Sequence, residues 1–296
     1  MEVNKKLMLL QDFFLLCKPK VVIVMLTTAW VGMSLATPNK IPISIFILGT
    51  IGIAFSASAA AVINHLVDRH IDAKMQRTRH RPIASGRINA LTALLFSLTL
   101  GILGIFVLFF FVNPLTAILT FLTVLGYAVL YTLFLKHKTP QNIVIGGLAG
   151  AMPPLLGWTT VSGELNAYAW VLVLIIFTWT PPHFWALAIY RRKDYQNANI
   201  PMLPVTHGVR FTKLCVVLYT ILLFLTSLLP YLTQMSGTYY FIAALFLGVA
   251  FLIQTLVLYK TNKDEVALKT FSFSILYLLL LFIALLWDHY CPWDFL

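Results

Sequence analysis

The sequence predicts an all-α membrane protein, a polytopic transmembrane bundle of about nine helices. Hydrophobic residues make up 60% of the 296 positions and charged residues only 10%, whereas a soluble domain carries far more charge. The apolar runs are long enough to cross a hydrocarbon core, which takes about 20 helical residues. Runs of this length exclude membrane-spanning strands, and in lipid only helices or closed barrels satisfy the backbone. We expect residues 1–296 to form one transmembrane domain.

Hydropathy places nine candidate spans along the chain. They are expected at residues 21–37, 43–63, 91–111, 115–134, 143–161, 168–189, 211–231, 239–259 and 270–287. Before them, the apolar segment 7–16 is interrupted by Gln11 and Asp12, which indicates an interfacial helix rather than a cleavable signal peptide. The fifth span is rich in glycine and proline, which predicts close helix contacts or a local break. These residues are Gly146, Gly147, Gly150, Pro153 and Pro154.

The basic residues predict the orientation of the chain. Every Lys and Arg except Lys40 falls on the same side of the proposed spans. The positive-inside rule then places the N-terminus in the cytoplasm and the C-terminus outside the cell (inner) membrane. This topology accounts for the net charge of +11, so no nucleic-acid partner is expected. Contact of the basic loops with anionic membrane lipid is expected instead. Cys17, Cys215 and Cys291 show no paired spacing, which argues against a disulfide framework or a thiolate metal site.

A first polar motif follows the second span. Asn64, Asp68 and Asp72 are spaced by four, which places all three on one face of a helix. Two carboxylates and an amide are hard oxygen ligands that suit Mg²⁺ held partly through substrate phosphates. The alternative is that the aspartates only pair with neighbouring cations at the membrane surface, namely Arg69, Lys74 and Arg77.

A second motif follows the sixth span. Tyr190 and Asp194 are also four residues apart, and they lie 126 residues after Asn64 and Asp68. This offset suggests a weak internal repeat of four helices. If the two halves pack face to face, the carboxylate of Asp194 and those of the first motif reach one cavity from opposite sides. We therefore expect Asn64, Asp68, Asp72 and Asp194 to form the catalytic metal site.

Cations accompany both motifs. Arginine presents a planar fork that matches phosphate oxygens, and carboxylates, metal and arginines together can stabilise a diphosphate leaving group. The alternative for about half of these cations is a topological role. The combination at a membrane surface predicts a substrate with a diphosphate head and an apolar tail. The expected diphosphate-binding residues are Arg77, Arg81, Arg191, Lys193 and Tyr190.

At these motifs the sequence resembles the UbiA superfamily of intramembrane prenyltransferases, and within it the branch that prenylates haem. The resemblance covers essentially the whole chain. The first motif alone marks only the superfamily, whereas the Arg-Thr…Arg-Pro run and the Ile-Pro-Met-Leu-Pro-Val stretch indicate the haem branch. The segments that carry the resemblance are Asn64–Asp72, Met75–Pro82, Pro181–Trp185, Tyr190–Tyr195 and Ile200–Val205.

The resemblance implies a fold, a reaction and partners. The fold is the UbiA-type bundle of nine spans, and the reaction transfers a farnesyl group from farnesyl diphosphate to a vinyl group of haem B with Mg²⁺ as cofactor. The product, haem O, serves terminal oxidases, so a haem A synthase or a terminal oxidase is an implied partner. In the superfamily an aspartate often stands where this chain has Tyr190. This departure leaves fewer metal ligands and leaves the number of Mg²⁺ ions open.

His183 is the candidate for the acceptor site. It lies near the end of the sixth span, beside an expected proline break at Pro181 and Pro182. A hydrogen-bonded core histidine is one interpretation. A ligand to haem iron or a proton acceptor near the acceptor substrate is the other. His207 is a second, weaker candidate.

Two other functions share some of these features. A prenyltransferase acting on a quinone or a phenolic acid would have the same diphosphate site and differ only in its acceptor pocket. A transporter or channel is the other class, because buried charge in a polytopic bundle often marks one. Transporters place their polar residues near the bilayer midplane, whereas here the acidic residues lie at the ends of spans.

Overall fold

The protein is a helical bundle in which each predicted span coincides with a helical segment. A computed structural model describes residues 2–76, 78–135, 138–261 and 263–291, and within these ranges the regular structure is helical throughout. The helices are α1 (Glu2–Leu16), α2 (Pro19–Leu35), α3 (Ile43–Asp72), α4 (Ala90–Phe111), α5 (Pro114–Leu125), α6 (Asn142–Ala151), α7 (Pro153–Ser162), α8 (Ala167–Tyr190), α9 (Arg192–Asn197), α10 (Leu203–Thr206), α11 (Gly208–Ser227), α12 (Leu229–Leu232), α13 (Thr238–Lys260) and α14 (Asp264–Tyr290).

The number of spans is close to the predicted nine. In the described part of the chain, 7 helices are long and apolar enough to cross a membrane, or 8 if the bent pair α1–α2 forms one span. The fourth predicted span, 115–134, corresponds to the shorter helix α5, which a π-helix continues over Gly126–Leu135. A π-helix inside a longer helix often lies at a functional site. The chain is therefore a multi-pass membrane protein, with a span count of about nine.

Proline affects two spans differently. In the fifth span, α6 ends at Ala151 and α7 begins at Pro153, but the only residue between them, Met152, keeps helical backbone angles. The two helices together form one apolar span over Asn142–Ser162. The expected break in the sixth span is wrong, because α8 continues through Pro181 and Pro182. Both prolines are buried in the bundle. Packing against neighbouring helices lets a membrane helix tolerate the lost backbone hydrogen bonds.

Small residues set the closest helix contact. A Cβ atom on Gly157 of α7 would lie 1.9 Å from the Ala29 carbonyl oxygen of α2, and one on Gly32 would lie 2.0 Å from the Pro154 oxygen. Such contacts between small residues are typical of membrane helices. Elsewhere α3 packs on α4, α8 packs on α6, α11 and α14, and α14 reaches back to α2. The first and last spans therefore meet.

Candidate active site

The first motif lies buried on the last turns of α3. The Asn64 amide nitrogen donates a hydrogen bond to Asp68 Oδ2 over 2.9 Å, so the spacing of four does place these side chains on one face. Asp72 Oδ2 accepts a hydrogen bond from Arg81 Nη1 over 2.7 Å. Arg69 instead donates to the backbone oxygen of Leu66. Asp72 is therefore paired with Arg81, one of the predicted diphosphate ligands.

Lys18 is a site residue that sequence reasoning missed, because it counted only toward the orientation of the chain. Lys18 lies between α1 and α2 in the left-handed conformation, with φ 50°, and its ammonium group donates to the Asn64 carbonyl oxygen. The Asn64 oxygen therefore faces Lys18, while its NH₂ group faces Asp68. The sequence signal was a lysine directly before the proline that begins the first span.

The second motif is more open than the first. α8 ends at Tyr190, and Arg191 leaves the helical conformation with φ −101° and ψ 22°. Asp194 therefore belongs to the separate helix α9, so Tyr190 and Asp194 do not lie on one continuous helix. Tyr190, Asp194 and the cations between them line a cavity of about 350 Å³, together with Asp264 of α14.

Arg191 also lines this cavity. Its Nε atom is buried and has no hydrogen-bond partner among the described residues. A buried donor without an acceptor is rare in proteins and calls for an explanation. Lys193 and Tyr190 on the same cavity are exposed. Arg77, also a predicted diphosphate ligand, lies outside the described residues.

Residues beside the two motifs belong to one buried cluster. Ile71 and Met75, beside the first motif, belong to the same buried cluster as Ile189 and Tyr195, beside the second. The side chains of the first motif do not line the cavity of the second in the described structure. The structure thus joins the segments beside the two motifs through one cluster, while the first-motif carboxylates lie outside the cavity that Asp194 lines.

Two tyrosines that sequence reasoning did not single out lie between the motifs. Tyr127 and Tyr131 stack with their ring centroids 5.4 Å apart on the π-helix. Tyr131 is close enough to Asp68 and to Tyr195 to interact electrostatically with both. Gly146 makes room for it, because a Cβ atom there would lie 2.0 Å from the Tyr131 ring. A tyrosine pair opposite a glycine-rich span was the available sequence signal.

The hydrogen-bond partners of His183 indicate its tautomer. Its Nδ1 atom lies 2.7 Å from Ser274 Oγ, and that hydroxyl donates to the Phe271 backbone oxygen. The hydroxyl must therefore accept from Nδ1–H, which leaves Nε2 as the acceptor nitrogen. The ring is stacked between Trp179 and Phe271, with centroids 4.1 and 4.5 Å away. An imidazole held by its other nitrogen is the usual form of a metal-ligating histidine.

His207 has a different environment. It is exposed before the first turn of α11, and its Nδ1 atom lies 2.8 Å from the Thr206 hydroxyl. The Phe211 ring lies nearby, with the two centroids 5.6 Å apart. His183 and His207 therefore lie in different surroundings, the first within the bundle and the second at its surface.

The acidic residues fit Mg²⁺ better than a transition metal. The described part of the chain contains no group of three or more His, Cys, Asp or Glu side chains close enough to hold a metal ion by themselves. Mg²⁺ is usually bound by one or two carboxylates and completed by water and substrate phosphates. The buried carboxylates of Asp68 and Asp72 supply this kind of incomplete oxygen set.

Comparison with known proteins identifies the family. The sequence pattern of the UbiA prenyltransferase family matches residues 24–287. The chain belongs to the UbiA prenyltransferase family, and it is a prenyltransferase. A protoheme IX farnesyltransferase of Teredinibacter turnerae is 58% identical over 280 residues, which cover 95% of this chain and 90% of that protein.

Two solved structures share the fold. A structure described for digeranylgeranylglyceryl phosphate synthase aligns with TM-score 0.81 and 22% identity over 95% of this chain and 98% of its own. A UbiA homologue from Archaeoglobus fulgidus bound to DMAPP and Mg²⁺ aligns with TM-score 0.65 and 15% identity over 93% and 99%. At these identities the two comparisons show the fold alone.

Proposed function

We propose that this protein transfers the farnesyl group of farnesyl diphosphate to a vinyl group of haem B and so forms haem O. The choice of haem B as the acceptor substrate rests on the 58% identity, over 95% of the chain, to a protein named protoheme IX farnesyltransferase. The diphosphate half rests on the site itself. Buried carboxylates lie beside Arg81, and the Arg191 Nε donor has no protein acceptor in the described structure.

The first motif and Asp194 would hold the metal–diphosphate group. Asp68, Asp72 and Asp194 supply carboxylates, and Asn64 supplies its amide. In the structure the Asn64 oxygen faces Lys18, so its direct role is to orient Asp68, and it becomes a ligand only if the amide turns. When bound, Mg²⁺ would neutralise charge on the diphosphate and improve it as a leaving group.

The cations would receive the leaving group. Arg81, Arg191, Lys193 and the Tyr190 hydroxyl bind the diphosphate oxygens, and Arg77 is proposed to join them. As the bond between farnesyl C1 and oxygen breaks, an allylic cation forms and the electron pair leaves with diphosphate. The haem vinyl carbon attacks C1. Water then adds to the resulting carbocation and loses a proton, which gives the hydroxyl group of haem O.

The acceptor would lie deeper in the bundle than the diphosphate. His183 lies seven residues before Tyr190 in the continuous helix α8, a rise of about 10 Å. Its Nε2 acceptor nitrogen suits a haem-iron ligand or a proton acceptor. His207 is the second candidate. The farnesyl chain would lie among the apolar spans.

The proposal includes a location. We infer that residues 1–296 form one domain in the cell (inner) membrane, with the N-terminus and the active-site loops cytoplasmic and the C-terminus outside. The support is the distribution of Lys and Arg along the sequence. The product would pass to a haem A synthase or a terminal oxidase, which are the proposed partners.

The test is an incubation of the purified protein with farnesyl diphosphate, Mg²⁺ and haem B, analysed by mass spectrometry. Parallel incubations replace haem B with a quinone precursor or a phenolic acid. The proposal predicts a haem adduct carrying one farnesyl and one hydroxyl group. Prenylation of another acceptor but not of haem B would keep the family reaction and exclude the proposed acceptor.

A further inference from the structure

The N-terminal helix α1 is attached to the loop between α3 and α4. The Asp12 carboxylate accepts two hydrogen bonds from Arg87 of that loop, 2.9 Å from Nε and 3.0 Å from Nη2. Asp12 is nearly buried. These hydrogen bonds raise the pKa of the Arg87 guanidinium above its ordinary value. A two-point pair of this kind fixes direction as well as distance.

Apolar contacts strengthen the attachment. Leu16 of α1 is fully buried and packs in one cluster with Val62 of α3, Ile83 and Ile88 of the loop, and Ala93 of α4. In the same region Phe13 and Phe96 form an edge-to-face pair with centroids 4.8 Å apart. α1 is therefore attached to the bundle by buried contacts as well as by the ion pair. It is packed against three separate elements.

These contacts lie on both sides of Arg81. On one side, Arg87 Nη2 donates to the His80 backbone oxygen over 3.0 Å. On the other side, Ile83 is held in the Leu16 cluster. Arg81 itself pairs with Asp72. The backbone on both sides of Arg81 is thus held through contacts that lead to α1, at His80 by way of Arg87 and at Ile83 by way of Leu16.

We propose that Asp12 is a positioning residue for the diphosphate site, acting through Arg87 on the loop that presents Arg81. The inference rests on the proposed binding of diphosphate at Arg81. A cation held in place before the substrate arrives loses less conformational freedom on binding. Without the Asp12–Arg87 pair, farnesyl diphosphate would have to order the loop itself. Its binding would weaken, while the chemical step, once the loop is ordered, would be little changed.

A simpler role for α1 is anchoring at the membrane surface. Met8, Leu10 and Phe14 are exposed, as expected for a helix whose apolar face meets lipid. If anchoring were its whole role, removal of the Asp12 charge would change the amount of inserted protein. It would not change the affinity of the inserted protein for one substrate.

The experiment compares Asp12→Asn with Asp12→Glu and Arg87→Lys in purified full-length protein, with Glu164→Gln as an exposed acidic control. Asp12→Asn should raise the KM for farnesyl diphosphate about tenfold, as expected for loss of a charged hydrogen bond. The value of kcat and the KM for haem B should stay within about twofold. Asp12→Glu should recover most of the affinity. Arg87→Lys, which keeps the charge and loses the fork, should resemble Asp12→Asn.

Two further measurements separate positioning from misfolding and from failure of the proposed reaction. Trypsin should cut residues 78–88 faster in Asp12→Asn, and a non-hydrolysable farnesyl diphosphate analogue with Mg²⁺ should restore protection. Calorimetric titration with the same analogue needs no haem, so it tests the inference even if the acceptor is wrong. Unchanged analogue affinity and unchanged cleavage in both Asp12→Asn and Arg87→Lys would overturn the inference, as would equal effects in Glu164→Gln.

Discussion

Replacement of Asp72 by Asn separates the catalytic from the structural role of the first motif. The side chain of Asp72 is 6% exposed and that of Arg81 is 21% exposed. Asp72 Oδ2 lies 2.7 Å from Arg81 Nη1. Asp72→Asn keeps the size of the side chain and removes its charge. It therefore removes a proposed metal ligand and, at the same time, the anion that pairs with Arg81.

The two effects differ in size. Loss of one charged metal ligand should cost about 3 kcal/mol of transition-state stabilisation, which is about a hundredfold in kcat/KM. The effect on folding should be smaller. The Arg81 side chain is partly exposed and can turn toward water when Asp72 is neutral, so the loss should be about 1 kcal/mol, nearer to a surface ion pair than to a buried one.

The assay is turnover of farnesyl diphosphate together with thermal unfolding of the same purified protein. Arg81→Gln is the matched variant, because it breaks the same pair and keeps the carboxylate. The reasoning predicts a larger loss of turnover in Asp72→Asn than in Arg81→Gln, with similar small losses of stability. An Asp72→Asn enzyme that keeps more than about a tenth of normal turnover would refute the assignment of Asp72 as a metal ligand.

Three other predictions concern different parts of the fold. Gly146→Ala should displace the Tyr131 ring and cost about 1–3 kcal/mol of stability. Gly150→Ala is the control, because an added Cβ there meets nothing within 4 Å, and it should unfold like the unmodified protein. Equal unfolding of the two variants would contradict the packing argument. His183→Ala should weaken haem binding in an absorbance titration and leave binding of the farnesyl diphosphate analogue intact, and an unchanged haem titration would make His183 a structural residue. A reporter inserted at Gly86 should report the cytoplasm and one fused after the C-terminus the outside, so both reporters on one side would contradict the proposed topology.

Hydropathy predicted the bundle well because membrane spans are set by composition and length, which are local properties. Close contacts in the glycine-rich fifth span were also predicted, and Gly146 does lie directly against Tyr131. The continuity of α8 through Pro181 and Pro182 was not, because it depends on burial against neighbouring helices. Hydropathy alone likewise does not show that α5 continues as a π-helix.

The first motif was predicted from its spacing, because residues four apart on a helix meet, as Asn64 and Asp68 do. The same rule failed for Tyr190 and Asp194, since the helix ends between them and Asp194 belongs to α9. The contact of Lys18 with Asn64 joins residues 46 positions apart. A contact of that kind depends on the packing of whole helices, and local pattern does not encode it.

We propose that carboxylates from both motifs bind one metal–diphosphate group. The most direct measurement is calorimetric titration of the farnesyl diphosphate analogue into the purified protein, with and without Mg²⁺, for the unmodified protein, Asp68→Asn and Asp194→Asn. The account predicts that the unmodified protein binds the analogue at least about tenfold more tightly with Mg²⁺, and that each variant loses most of this dependence on Mg²⁺. The account would be contradicted if Mg²⁺ strengthened binding equally in all three proteins, or if only one of the two aspartates mattered.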